Sequence, residues 1–167
     1  NKRIIFNGNN YSEEWVQEAE RRGLPNLKST VEAVNALIAE KNINVLEKHN
    51  VLSNVELQSR YEINLENYIK TINIEALTML EIARKEILPA SIDYTTKLAA
   101  SINSIKSTGI DADISAQAEL LKETGSLVAS FKKNIDLLES ILEKASSLHD
   151  DTYELAKYYK DEVLSQM

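Results

Sequence analysis

His49 and His149 are the only imidazoles in the sequence, and each needs company to do chemistry. A zinc site requires further nitrogen, sulfur or carboxylate ligands at set spacing, and a general base needs a reacting group within hydrogen-bond reach. Neither histidine has such a partner motif. Both fall at helix ends, where a surface position is expected. Glu13 with Glu14, and Asp150 with Asp151, are adjacent in sequence and open helices, so their expected work is to complement the helix dipole. Asn7-Gly8-Asn9-Asn10 carries one glycine and no following lysine, unlike a phosphate-binding loop. No serine stands in a Gly-x-Ser-x-Gly elbow. The absence of cysteine removes thiol catalysis, disulfides and cysteine-based zinc sites, and fits a reducing compartment. No catalytic, cofactor-binding or metal-ligating residue is assigned.

Residues suited to contact a partner are easier to find. Tyr158 and Tyr159 are neighbours and cannot share one helix face, so at least one should point to solvent or to a partner. Lys70, Thr71, Asn73, Glu75, Thr78 and Glu81 make a polar stretch inside a long apolar helix pattern. It is either a solvated face or a contact with another domain. Arg3-Ile4-Ile5-Phe6 is a short β-prone run with no strand elsewhere to pair with. Arg3, Phe6, Asn73, Glu75, Tyr158 and Tyr159 are therefore the candidate interface residues. Tyr61, Tyr68 and Tyr94 lie on the apolar stripe and are expected to pack in the core with their hydroxyls at its edge.

The elements that position these residues are helices. Four glycines and two prolines among 167 residues, with abundant Leu, Ile, Ala, Glu and Lys, indicate an all-α fold. The expected architecture is a single domain over 1–167, an antiparallel bundle around one long central helix. Residues 1–28 form an extended lead-in and a short helix capped by Ser12 and ended by Gly23 and Pro25. Short helices follow over 29–52, the first opened by a Ser29/Glu32 capping box and the last stopped at Asn50. The central helix spans 53–107 and starts with a second capping box, Ser53 and Glu56. Its inward stripe is expected to run Tyr61, Leu65, Tyr68, Ile72, Ala76, Met79 and Ala83, then Ile87, Ala90, Tyr94, Leu98 and Ile102, broadened by Ile69, Leu80 and Leu88. Pro89 lies within it and should kink or break it. A turn at Gly109, with Asp111 as the next cap, leads into an antiparallel helix over 113–148, and Asp150 or Asp151 opens the last helix, 151–167, which has no stop signal.

Nineteen basic and twenty-six acidic residues give a formal charge of −7, which opposes binding to nucleic acid or an anionic membrane. No apolar run approaches the roughly 20 residues that span a bilayer, and the N-terminal stretch lacks the apolar core of a signal peptide. A soluble, cytoplasmic protein is expected. The missing initial methionine, the orphan strand and the open last helix together suggest a piece of a larger protein.

Three stretches carry a resemblance: Lys2-Arg3-Ile4-Ile5-Phe6-Asn7-Gly8-Asn9-Asn10-Tyr11-Ser12, Glu18-Ala19-Glu20-Arg21-Arg22-Gly23-Leu24-Pro25-Asn26-Leu27, and Tyr68-Ile69-Lys70-Thr71-Ile72-Asn73-Ile74-Glu75-Ala76-Leu77-Thr78-Met79. The chain resembles, in this order and over nearly its whole length, the C-terminal region of type III glutamine synthetases. The resemblance implies an enzyme of nitrogen assimilation that joins ammonia to glutamate using ATP and magnesium, built as a double-ring homo-oligomer. It also implies that the catalytic residues lie upstream of the matched part, so none is carried over. The implied partners are the catalytic domain of the same chain and neighbouring subunits, and the implied role is structural, in assembly. The sequence ends before the Trp-Pro-containing tail usual in that family. The competing reading is a free-standing helical interaction module unrelated to ligase chemistry.

Overall fold

The computed structural model describes residues 2–148 and 151–167, and among these every regular element is helical, with no strand. His149 and Asp150, and with them the expected Asp150 cap, lie outside the described residues. Contacts group the chain into two units, one ending at Leu65 and the other Glu66–Met167.

In the first unit the expected strand at Arg3–Phe6 is absent. Lys2–Ile4 forms a 3-10 turn instead, because β propensity needs a neighbouring strand to bond to, and the segment finds a helix. That helix is α1, Glu13–Arg21. Just past its end, Arg22 Nη1 donates to the carbonyls of Arg3 and Ile5 at 3.0 and 2.7 Å, and Phe6 stacks on Trp15 with centroids 4.8 Å apart. Gly8 leaves room for the Phe6 ring, since a Cβ there would stand 2.6 Å from it and force the ring to shift from Trp15. Ser12 occupies the cap position, but its hydroxyl donates to the Asn9 carbonyl at 2.7 Å rather than accepting from the helix. Gly23, at φ 67°, lets the Leu24 amide reach back to the Ala19 carbonyl and closes the helix.

The Ser29 hydroxyl accepts from the Glu32 amide at 3.2 Å and opens α2, Thr30–Ala33, which tightens into a 3-10 turn at Val34–Ala36. Val31 and Val34 are buried. α3, Glu40–Lys48, stops at Asn50, whose φ of 52° is the left-handed conformation expected there. The Ser53/Glu56 box is reciprocal: the Ser53 amide and hydroxyl donate to the Glu56 carboxylate, and the Glu56 amide donates to the Ser53 hydroxyl.

α4, Asn54–Ile82, begins there and passes from the first unit into the second. It continues through a π-helical turn, Ala83–Ile87, into α5, Leu88–Ser107, and the whole run is 54 residues long. Pro89 does not end the helix. Its missing amide and its ring, which would crowd the carbonyl four residues back, fall directly after the wider π turn, where the Leu88 amide bonds to the Ala83 carbonyl. The extra residue in that turn advances the phase by about 100°, and this corrects the expected stripe. Ile87, Ala90 and Tyr94 are exposed, while Leu88, Ser91, Thr95, Leu98 and Ile102 turn inward. Upstream of it Leu80 is buried, as expected of a residue that broadens the stripe, while Met79 is exposed.

After Gly109, at φ 72°, the chain reverses. Asp113, not Asp111, accepts from the Ser115 amide at 2.9 Å to open α6, Ser115–Ala145. Asp151 caps α7, Thr152–Tyr158, through the amides of Tyr153 and Glu154. A second π turn, Tyr159–Val163, leads to α8, Leu164–Gln166. The core of this unit joins Ile72, Ala76, Leu80 and Ala83 to Ile135, Leu138, Leu142 and Ala145, with Tyr159 and Val163 from the last helix. Arg84, presented by the first π turn, pairs with the Glu139 carboxylate through both terminal nitrogens, one contact at 2.6 Å, and stands 3.8 Å from Asp136.

Candidate functional site

The sequence-derived candidates separate into three places. Asn73 is half-buried, and its Oδ1 accepts from the Tyr159 hydroxyl at 3.0 Å. Tyr158 donates to the Ile141 carbonyl at 3.2 Å. Neither tyrosine is directed at solvent, contrary to expectation, because the last helix lies between two neighbours: adjacent residues roughly 100° apart each find one. Burial raises the pKa of both hydroxyls, and that of Tyr68. These groups stay protonated donors, which suits binding an amide and a carbonyl. Glu75 is exposed, so within the polar stretch it is Glu75 and not Asn73 that faces outward.

Arg3 and Phe6 lie in the first unit. Arg3 is exposed and its carbonyl is held by Arg22, while Phe6 is half-buried against Trp15. Behind them Arg22 lies 5.6 Å from the Trp15 ring centroid and donates through Nε to Glu18 at 2.6 Å. Glu18 also accepts two bonds from Arg21, and these guanidiniums hold its carboxyl down to about 2. Reading the sequence for function missed this clip, although Glu18 and Arg22 stand at i,i+4 and the charge pairing was available. Arg84 with Glu139 was not available in that way, since the partners are 55 residues apart.

Among the described residues no group of three or more His, Asp and Glu side chains converges to hold a metal. His49 is exposed just past α3, and Glu13 and Glu14 are exposed in the first turn of α1. Among those residues, too, no helix is long and apolar enough to cross a membrane.

These features define, among the described residues, an all-helical fold built along one long helix, with Asn73, Tyr158, Tyr159, Arg84 and Glu139 engaged in polar bonds between helices. Residues 1–106 match the family model for the glutamine synthetase C-terminal domain, and the chain belongs to that family. A glutamine synthetase from Butyrivibrio fibrisolvens is 38% identical over 167 residues, covering 99% of this chain and 24% of the relative. A type-3 glutamine synthetase from Dictyostelium discoideum is 45% identical over 103 residues, 62% of this chain and 14% of the relative. A glutamine synthetase from Bacteroides fragilis is 29% identical over 165 residues, 96% and 22%. The chain thus spans about a quarter or less of the length of the curated relatives it matches.

Proposed function

We propose that this chain is the helical C-terminal domain of a type III glutamine synthetase, an ATP- and magnesium-dependent glutamate–ammonia ligase of cytoplasmic nitrogen assimilation, and that its own work is structural. It packs on the catalytic part of the same polypeptide and supports contacts between subunits of a homo-oligomer. The observation that carries this is the pattern of coverage: similarity runs along 99% of the chain while occupying 24% of a glutamine synthetase. The side chains support it, since the polar groups best placed for chemistry, Asn73, Tyr158, Tyr159 and Glu18, are engaged in intramolecular bonds. Arg3 and Glu75 are exposed and remain the candidate contact points.

Removing the region equivalent to this chain from a full-length relative tests the assignment. Sedimentation should show smaller assemblies and glutamine formation should fall, while the isolated 167-residue chain forms no glutamine from glutamate, ammonia and ATP. A truncated enzyme that assembles and turns over like the parent, or turnover by the isolated chain, overturns the reading.

A further inference from the structure

The α5–α6 hairpin has an inner seam that repeats every seven residues. Leu88, Thr95 and Ile102 supply it from α5, and Leu121, Val128 and Ile135 from α6; all six are half-buried or buried. The Arg84–Glu139 pair fixes the register at one end and the turn at Gly109 closes the other, so Thr95 stands level with Val128. A residue that precedes an inward position is rotated about 100° back around its helix. Because the two helices are antiparallel, that rotation carries the preceding residues of both to the same side of the hairpin.

On that side stand Ile87, Tyr94 and Ser101 from α5, level with Asn134, Leu127 and Leu120 from α6. Ile87, Tyr94, Leu120 and Leu127 are 48, 47, 44 and 62% exposed, and none of the six is charged. The residues that follow the seam, on the opposite side, are Pro89, Thr96 and Asn103 with Lys122, Ala129 and Asp136, and that side also carries Ile92, 49% exposed, as its one large apolar residue. One side of the hairpin therefore carries four exposed large apolar residues and no charge, while the other carries one, Ile92, beside charged and polar residues. A two-helix layer with an apolar outer side is completed by another layer of the same kind.

Charge selects the occupant. The chain carries −7, but residues 84–134 hold seven basic and six acidic side chains, so two copies of this segment do not repel. The charged residues bordering the patch are Lys97 and Glu123, at nearly the same level on opposite helices. A two-fold axis parallel to the helices sets α5 of one copy over α6 of the other, brings Tyr94 onto Leu127 of the partner subunit, and opposes Lys97 to Glu123 of the partner subunit twice. We propose that this side of the hairpin is a self-association surface, closed by a second copy of the chain in that arrangement. The proposal deepens the assembly reading by naming one of its surfaces and rests on it for a role in the enzyme, while the contact itself is measured on the isolated chain.

Sedimentation equilibrium of the 167-residue chain from about 5 µM to about 500 µM, the range of modest protein–protein affinities, should show its mass rising from 18.8 kDa towards twice that value. Tyr94→Glu with Leu127→Glu should weaken association at least tenfold with unchanged helical circular dichroism, since both positions are exposed. Thr96→Glu with Ala129→Glu, on the polar side, should leave it intact. Lys97→Glu should weaken it and Lys97→Glu with Glu123→Lys should restore it. A chain that stays monomeric throughout, equal loss from both glutamate pairs, or no rescue by the charge swap overturns the proposal. A monomer leaves the assembly reading standing, because that reading is decided by the truncation of the full-length relative.

Discussion

A tyrosine hydroxyl taken out of water has to find an acceptor, and Asn73 supplies one for Tyr159. Asn73→Ala should therefore lower stability by about 1 kcal/mol, with Tyr159→Phe costing a similar amount and the double variant less than the sum. Urea unfolding measures all three, and unchanged midpoints would show that the bond does not form in solution. Glu75→Ala, at an exposed position, should leave the midpoint in place, so of the two polar residues only Glu75 is a clean probe of contacts in a full-length enzyme. Glu18 gives a pH signature. Its carboxyl sits well below the ordinary value when folded, so the support it lends the Arg22–Trp15 clip is complete above about pH 4.5 and is lost as the pH falls towards 2. Trp15 fluorescence should change through that window in the parent chain and not in Glu18→Gln. The pairing of Glu18 with Arg22 is local and could be read from the sequence, whereas the acceptor for Tyr159 lies 86 residues away and could not.

At the scale of elements, the caps were legible except at Ser12, which does not accept from its helix, and at Asp111, whose place Asp113 takes. Ser29/Glu32, Ser53/Glu56, Asn50 and Asp151 act as their residue types indicate, because a cap is decided within four residues. The stripe of the long helix was legible as far as Ala83 except at Met79, went out of phase at Ile87, Ala90 and Tyr94, and was met again at Leu98 and Ile102, since a π turn has no local signature apart from Pro89 two residues past its end. Interior proline in an α-helix costs about 3 kcal/mol. The π turn before Pro89 already leaves the ladder open there, so Pro89→Ala should shift stability by less than about 1 kcal/mol. A gain approaching 3, read from urea unfolding, would show that the turn relieves none of the proline strain. The Arg3–Phe6 segment was misjudged because strand propensity says nothing about whether a partner strand exists.

Across the whole molecule, the burial is uneven. Ile102 is the one buried residue described between Leu88 and Phe131, while buried residues of Ile72–Ala83, Ile135–Ala145 and Tyr159–Val163 share one core. Amide hydrogen exchange should follow that division, with residues 92–130 exchanging faster than the amides of the core segments, because local opening depends on buried apolar contact. Uniform protection along α5 and α6 would contradict it unless it depends on chain concentration, as the self-association surface requires. The all-helical class and the turn at Gly109 could be read from composition and punctuation. The boundary at Leu65 could not, because it falls inside an uninterrupted helix and no glycine, proline or polar linker marks it. The π turn has one more consequence. A helix with one residue too many can lose that residue without disturbing either flank, since the inward positions on both sides then fall back into a single α-helical phase. Deleting Glu86 together with Pro89→Ala should leave the melting temperature within a few degrees of the parent, while deleting Thr78 from the regular part of α4 should unfold the second unit. In an alignment of related chains, the gap of one residue that this fold tolerates belongs between Ala83 and Ile87.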